Sequence, residues 1–300
     1  MIIAVASGKG GTGKTTIATN LAKSIGRGVQ LIDCDVEEPN SHLFLNPQII
    51  KNEDVSIPRP HVDLGKCTYC GECAEICRFS AIVVVKEYVL VFPELCHGCG
   101  GCSKVCPEDA ISEIPKSIGI LEQGMALPMG FVHGRLTVGE AMSPPLIKAA
   151  RAQANVNGVV IIDCPPGTSC PVIASIKGSD FCILVTEPTP FGLNDLELAV
   201  EVVRELSIPS GVVINRSDIG DLAVKKFCEG RSIPILMEIP EDRQIAEAYS
   251  RGEMIIDIMP EYKERFQKLF AAIRDKLGGS TMAVEFSLPL RGEGANEKAG

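Results

Sequence analysis

Ile2-Ile-Ala-Val-Ala6-Ser-Gly8-Lys9-Gly10-Gly11-Thr12-Gly13-Lys14-Thr15-Thr16-Ile17 is the stretch on which the fold of this chain turns. A short apolar run enters it and a helical run, Ile17–Ile25, leaves it. At that junction Gly8, Gly13, Lys14 and Thr15 satisfy G-x4-G-K-S/T, in the strand-to-helix setting the motif requires. Glycines let backbone N–H groups converge on an anion, and the helix start adds favourable partial charge. Gly8 through Thr16 are thus expected to cradle a nucleotide polyphosphate, with Lys14 on the terminal phosphate oxygens and the Thr15 hydroxyl on Mg2+.

Outward from this loop, Val29–Asp33 is a second apolar strand, ending in Asp33-Cys34-Asp35. Gly158–Asp163, Phe181–Val185 and Gly211–Ile214 are short, apolar and β-branched, as buried parallel strands are. Helical stretches alternate with them down to residues 261–277, where Phe266, Leu269, Phe270, Ile273 and Leu277 form one apolar stripe. This alternation predicts a doubly wound α/β domain with a mainly parallel sheet.

A different pattern interrupts it. Cys67, Cys70, Cys73 and Cys77 are spaced C-x2-C-x2-C-x3-C, and Cys96, Cys99, Cys102 and Cys106 repeat that spacing, followed by Pro107 where the first run has Arg78. Gly71 aligns with Gly100, Ala81 with Ala110 and Ile82 with Ile111, which marks an internal duplication. The spacing is that of a two-cluster bacterial ferredoxin, in which the fourth cysteine of each run serves the other run's cluster. The expected sets are Cys67, Cys70, Cys73 with Cys106, and Cys96, Cys99, Cys102 with Cys77, each holding a [4Fe-4S] cluster. Zinc is the competing ligand, because C-x2-C pairs also build tetrahedral zinc sites. The implied organisation is discontinuous: residues 1–59 and 117–277 form the P-loop domain, and 60–116 an inserted α+β ferredoxin-like domain containing a hairpin of Ala81–Val85 and Tyr88–Phe92. A tail, 278–300, is expected to be partly disordered.

Bulk properties narrow the classes. A hydrophobic content of 45% supports a proper core, and a net charge of −9 without a basic tract argues against nucleic-acid binding. No apolar run reaches the roughly 18–20 residues of a membrane span. The first residues read as a strand rather than a signal peptide. Thirteen cysteines in so core-rich a chain, eight of them in cluster spacing, fit a reducing cytoplasm better than a secreted disulfide scaffold.

Lys9 makes the phosphate loop more specific. Gly8-Lys9-Gly-Gly-Thr-Gly13-Lys14-Thr15-Thr16 resembles the deviant Walker A of the MinD, ParA and Mrp ATPases and of the nitrogenase iron protein. The chain resembles most the members of that superfamily that carry an inserted ferredoxin domain, through Asp35-Val-Glu-Glu-Pro-Asn40 and Pro165-Pro-Gly-Thr-Ser-Cys-Pro-Val-Ile173 as well. The resemblance implies an ATPase that forms a homodimer on ATP, in which Lys9 reaches the partner's nucleotide. It implies that Asp163 holds Mg2+ through water, that Asp33 lies near the metal, and that Asp35 orients the attacking water. It places Asn215, Arg216 and Pro240 at the adenine. Cys170 follows Asp163 by seven residues, where the nitrogenase iron protein has a cluster cysteine on the dimer axis. Residues 107–163 hold no counterpart of that protein's second such cysteine, so Cys170 is either a dimer-axis thiol or a structural or redox-active one. Cys34, Cys164, Cys182 and Cys228 are expected to be small buried hydrophobes. Two family features are missing: Met282–Leu290 has no cationic face for a membrane, and no C-x-x-C stands near the end of the ATPase domain as in Mrp-type carriers. Three functions follow from the resemblance: nucleotide-gated electron transfer to a partner redox or metallocofactor protein, cluster or metallocofactor maturation, and a positioning ATPase with redox-sensing clusters. The full eight-cysteine set favours the first.

Overall fold

The computed structural model describes residues 1–278; most of the tail, Met282–Leu290 included, lies outside the described residues. In chain order the elements are β1 (Ile2–Ala6), α1 (Lys14–Ile25), β2 (Val29–Asp33), α2 (Ser41–Leu45), β3 (Gln48–Val62), α3 (Glu72–Ile76), β4 (Ile82–Val85), β5 (Tyr88–Val91), α4 (Gly101–Val105), β6 (Ile111–Ala126) and β7 (Met129–Leu136). There follow α5 (Ser143–Arg151), β8 (Val159–Asp163), α6 (Cys170–Ile176), β9 (Phe181–Thr186), α7 (Pro190–Glu205), β10 (Ser210–Asn215), α8 (Ala223–Gly230), β11 (Ile235–Ile239), α9 (Arg243–Ser250), α10 (Ile255–Ile258) and α11 (Glu261–Lys276).

Nine strands make one sheet in the order β11-β10-β9-β1-β8-β2-β7-β6-β3. From β11 to β7 every pairing is parallel, whereas β6 and β3 add on antiparallel. β8 and β9 are buried along their whole length, which explains their continuous apolar, β-branched composition. One core layer lies between the sheet and α5, α6, α7 and α8, around Leu146, Val172, Leu196, Val200 and Val224. The other lies under α1, α10 and α11, around Ile17, Leu21, Ile255, Phe266, Leu269 and Ile273. The mainly parallel α/β architecture expected from the sequence is thus present, and the stripe on the last helix faces the core with Phe266, Leu269 and Ile273. The first helix starts at Lys14 rather than Ile17, because the end of the phosphate loop is itself its first turn.

β3 and β6 form a long ribbon, paired from Gln48 with Met125 out to Val62 with Ile111. Its near half edges the sheet through β7, and its far half carries α3, the β4–β5 hairpin and α4. The boundaries expected at 59/60 and 116/117 therefore fall inside continuous strands. Proline density made that region read as a break, yet Pro58 and Pro115 face each other across the ribbon, and β3 is an edge strand, where proline is tolerated. Lys116 holds the far half to the body, pairing with Glu140 and donating to the Pro93 carbonyl at 3.1 Å.

Candidate functional site

A cleft of about 350 Å3 opens where β1, β2, β10 and β11 end, at the carboxyl edge of the parallel strands. Such edges are where open α/β sheets bind ligands. Its floor is the phosphate loop, contributed by Gly10, Gly11, Gly13, Lys14, Thr15 and Thr16. Asp35, Glu38 and Asn40 form one wall, and Asn215, Arg216, Pro240, Ile245 and Tyr249 another. Gly13 adopts φ 94° and stands so close to Asn215 that a Cβ would fall 2.7 Å from its Nδ2. Asn215 in turn donates to the Thr12 carbonyl at 3.0 Å, so the expected base-side residue braces the loop backbone.

Gly8, Lys9 and Thr12 do not line the cleft. Gly8 packs against the start of α7, where a Cβ would meet the Asp195 carbonyl oxygen at 2.2 Å. Lys9 turns away and pairs with Glu187 at 3.2 Å, on the loop after β9. Arg216 reaches the same carboxylate at 3.3 Å and Glu241 at 3.0 Å. Glu187 escaped the sequence reading because it shows its role only once two distant loops meet.

The carboxylates divide into distinct positions. Asp33 and Asp163 end neighbouring strands and are fully buried. Asp33 accepts the backbone N–H groups of Asp35 (3.0 Å), Asn40 (3.2 Å) and Ser41 (3.0 Å), and thereby shapes the loop between β2 and α2. Asp163 accepts the Ser41 hydroxyl at 3.1 Å through Oδ2, while its buried Oδ1 has no partner. Burial and then the Asp33 charge push Asp163 up to about 8, against the lowering influence of the nearby Thr15 hydroxyl, the charge of Lys14 and the Ser41 hydrogen bond. Asp35, at the cleft wall, is pushed up to about 7 by burial and by Asp33. An unpaired buried carboxylate oxygen beside Thr15 and Lys14 suits a divalent cation, so the residues present fit Mg2+. Asp33 offers less, since its oxygens already serve three backbone donors.

The two cysteine runs interlock. Cys67, Cys70 and Cys73 line one small cavity together with Cys106, walled by Val62, Val84, Val89 and Ile111. Cys96, Cys99 and Cys102 line a second together with Cys77, under a stacked Phe79–His97 pair whose ring centres are 3.6 Å apart. Backbone N–H groups of Tyr69, Ala81 and Ala110 point at the sulfurs of Cys67, Cys77 and Cys106 at 3.3–3.4 Å. Among the described residues no three His, Cys, Asp or Glu side chains stand close enough to share one metal ion. The thiols surround hollows instead. Four thiolates around an apolar hollow, with N–H donors on the sulfurs, are the donor set a cubane iron-sulfur cluster takes.

The remaining cysteines are packing groups or lie apart. Cys34, Cys164, Cys182 and Cys228 are fully buried, and burial pushes their thiols up, Cys228 to about 11 and Cys182 to about 12. Cys170 is exposed at the first residue of α6.

A phosphate loop at the carboxyl edge of a parallel sheet, with two carboxylates and a threonine beside it, defines a P-loop nucleotide-binding protein. Residues 3–255 match the CobQ/CobB/MinD/ParA nucleotide binding domain, and the chain belongs to that family. It is 32% identical to an uncharacterized protein of Methanocaldococcus jannaschii, over 85% of this chain and 91% of the relative. It is 27% identical to an iron-sulfur cluster carrier protein of Aquifex aeolicus, over 87% of this chain and 63% of that protein. In fold it is similar to the septum site-determining protein MinD of Pyrococcus horikoshii OT3, solved with Mg-ADP, at a TM-score of 0.55 and 22% identity, covering 93% and 97% of the two chains. Among the described residues no helix is long and apolar enough to cross a membrane.

Proposed function

We propose that this chain is an ATPase that dimerises on ATP and couples its nucleotide state to electron transfer toward a partner redox or metallocofactor protein, in a reducing cytoplasm. The observation that carries the redox half is the crossed composition of the two cavities, each completed by a cysteine from the other run. With four cysteines apiece, neither site has an open corner from which a cluster is readily released, and thiols spread around a hollow suit a cluster better than a single ion. The inserted domain is accordingly read as ferredoxin-like, with two [4Fe-4S] clusters that supply one-electron chemistry when bound. Amide donors on the cysteine sulfurs are one of the means by which a protein sets cluster potential.

On the nucleotide side, Lys14 grips the phosphates of its own chain, and Thr15 and Asp163 hold Mg2+. Asp35, with its proton near neutrality, orients the attacking water. Lys9 leaves Glu187 for the partner's phosphates when two chains meet face to face, acting there as an arginine finger does. Asn215, Arg216 and Pro240 frame the base.

Anaerobically isolated protein is expected to hold about eight iron atoms per chain. Stoichiometric zinc without iron overturns the cluster reading. Retention of a redox protein from native extract only with a non-hydrolysable ATP analogue supports electron transfer. The names of the carrier relatives favour a second reading, cluster delivery. Net loss of iron to an apo-acceptor distinguishes it, since an electron carrier keeps its iron while it reduces its partner.

A further inference from the structure

A row of polar side chains crosses the sheet where apolar ones would be expected. Asp163 on β8 is in register with Asp33 on β2, Asp33 with His133 on β7, His133 with Glu122 on β6, and Glu122 with Asn52 on β3. Register partners on neighbouring strands project to the same face, so these residues form one line. It runs from the candidate Mg2+ carboxylate to the two strands that carry the cysteine segment. Asp163, Asp33 and His133 are buried, and Glu122 is mostly covered. The His133 ring bonds the Glu122 carboxylate at 2.7 Å, and Arg135 reaches the same oxygen at 3.3 Å. Two residues back on the same face the row is apolar, with Ile161, Leu31 and Phe131. Packing alone would be served by continuing it.

We propose that His133 and Glu122 are positioning residues that transmit occupancy of the phosphate–Mg2+ site to the β3–β6 ribbon. This rests on the nucleotide reading above. The movable part is the start of α2, whose Ser41 bridges both buried carboxylates, donating its hydroxyl to Asp163 and its N–H to Asp33. A cation held at the unpartnered Oδ1 of Asp163 draws the carboxylate toward itself and weakens the bond that its Oδ2 accepts from that hydroxyl. Displacing Ser41 shifts its neighbour His42, whose ring stands edge-on to His133 at 5.3 Å between centres. His133 passes the change through its hydrogen bond to Glu122. Glu122 lies on the strand whose outer end, at Ile111 and Glu113, lines the two cysteine cavities. Two states of a packed contact, each favoured by one condition of the metal site, are what such coupling requires.

The test is amide exchange across residues 57–62 and 111–116 of the full chain, with and without Mg·ADP, alongside a direct measurement of Mg·ADP binding. In the wild type Mg·ADP should slow exchange there about fivefold, the low end of ordinary coupling between sites. In His133→Phe, which keeps aromatic bulk, and in Glu122→Gln the response should fall below about twofold while Mg·ADP affinity stays within about threefold of wild type. Glu122→Gln alone decides the matter if His133→Phe does not fold. Variants that respond as the wild type does, or a wild type that binds Mg·ADP without any response, overturn the coupling. A wild type that fails to bind Mg·ADP overturns the nucleotide reading as well, and binding reports this separately from exchange.

Discussion

The phosphate cleft and the cysteine segment are built on opposite plans. The cleft takes its floor from one contiguous loop, on a strand and a helix sunk in two deep core layers. The cysteine cavities each take their walls from two separate runs, around a small core of Cys73, Ile82 and Ile111. A loop braced by its own domain is preformed for its ligand, whereas a segment with so little apolar burial leans on whatever fills its hollows. The first region should tolerate an empty site, and the second should not.

The sharpest break in that comparison is expected at the two lysines. Lys9→Ala should lower hydrolysis about a thousandfold, as loss of a cation acting in trans does, yet leave ATP binding in place. Lys14→Ala should weaken binding itself by about a hundredfold, two decades being worth about 3 kcal/mol. Mixing Lys9→Ala chains with Asp35→Ala chains should restore part of the activity, because one site of the mixed dimer then keeps its own Asp35 and receives a Lys9. No recovery at any ratio, with dimers demonstrated, would count against the trans role.

Iron removal should separate the regions physically. Under anaerobic chelation, limited proteolysis is expected to begin within residues 63–110, while the melting of the sheet domain changes little. Equal loss of both regions would mean that they share one folding unit. Within the segment, Cys106→Ser should disturb the same cluster as Cys73→Ser, and Cys77→Ser the same one as Cys102→Ser, each costing about half the iron. EPR spectra that pair Cys106 with Cys102 instead would break the crossed arrangement.

The smallest effect is the pH dependence of the cleft. Asp163 and Asp35, raised to about 8 and about 7 from 3.8, carry protons near pH 6 that a cation and its phosphates must expel. Mg·ADP affinity is therefore expected to rise from pH 6 to pH 8, by at most about tenfold per unit for each proton released, and calorimetry in two buffers would count those protons. For the empty protein the sign is opposite. In the folded state these two groups bind more protons than in the unfolded one, so their contribution to stability is fully present below about pH 4 and is lost as pH climbs toward 8. Asp163→Asn should flatten both trends; slopes unchanged in that variant would assign them to other groups.

Much of this protein was legible in one dimension. The phosphate loop, the strands around it and the apolar stripe of the last helix are contiguous patterns, and local geometry follows from spacing alone. The cysteine repeat is of the same kind, since a tight loop allows three thiols to face one hollow. The ends expected for the cysteine segment fall within β3 and β6, where Pro58 and Pro115, which look like punctuation in the sequence, face each other in an edge ribbon.

What only the tertiary structure decided is which distant residues share a place. Lys9 meets Glu187 because the loop after β9 folds beside the phosphate loop. Asp163, Asp33, His133 and Glu122 form a row because β8, β2 and the β6–β7 hairpin, three separate segments of the chain, lie in that register. No spacing rule connects residues on separate strands: their alignment is set by interstrand hydrogen bonding together with burial of the sheet's faces, and a slip of one residue would turn each side chain to the other face.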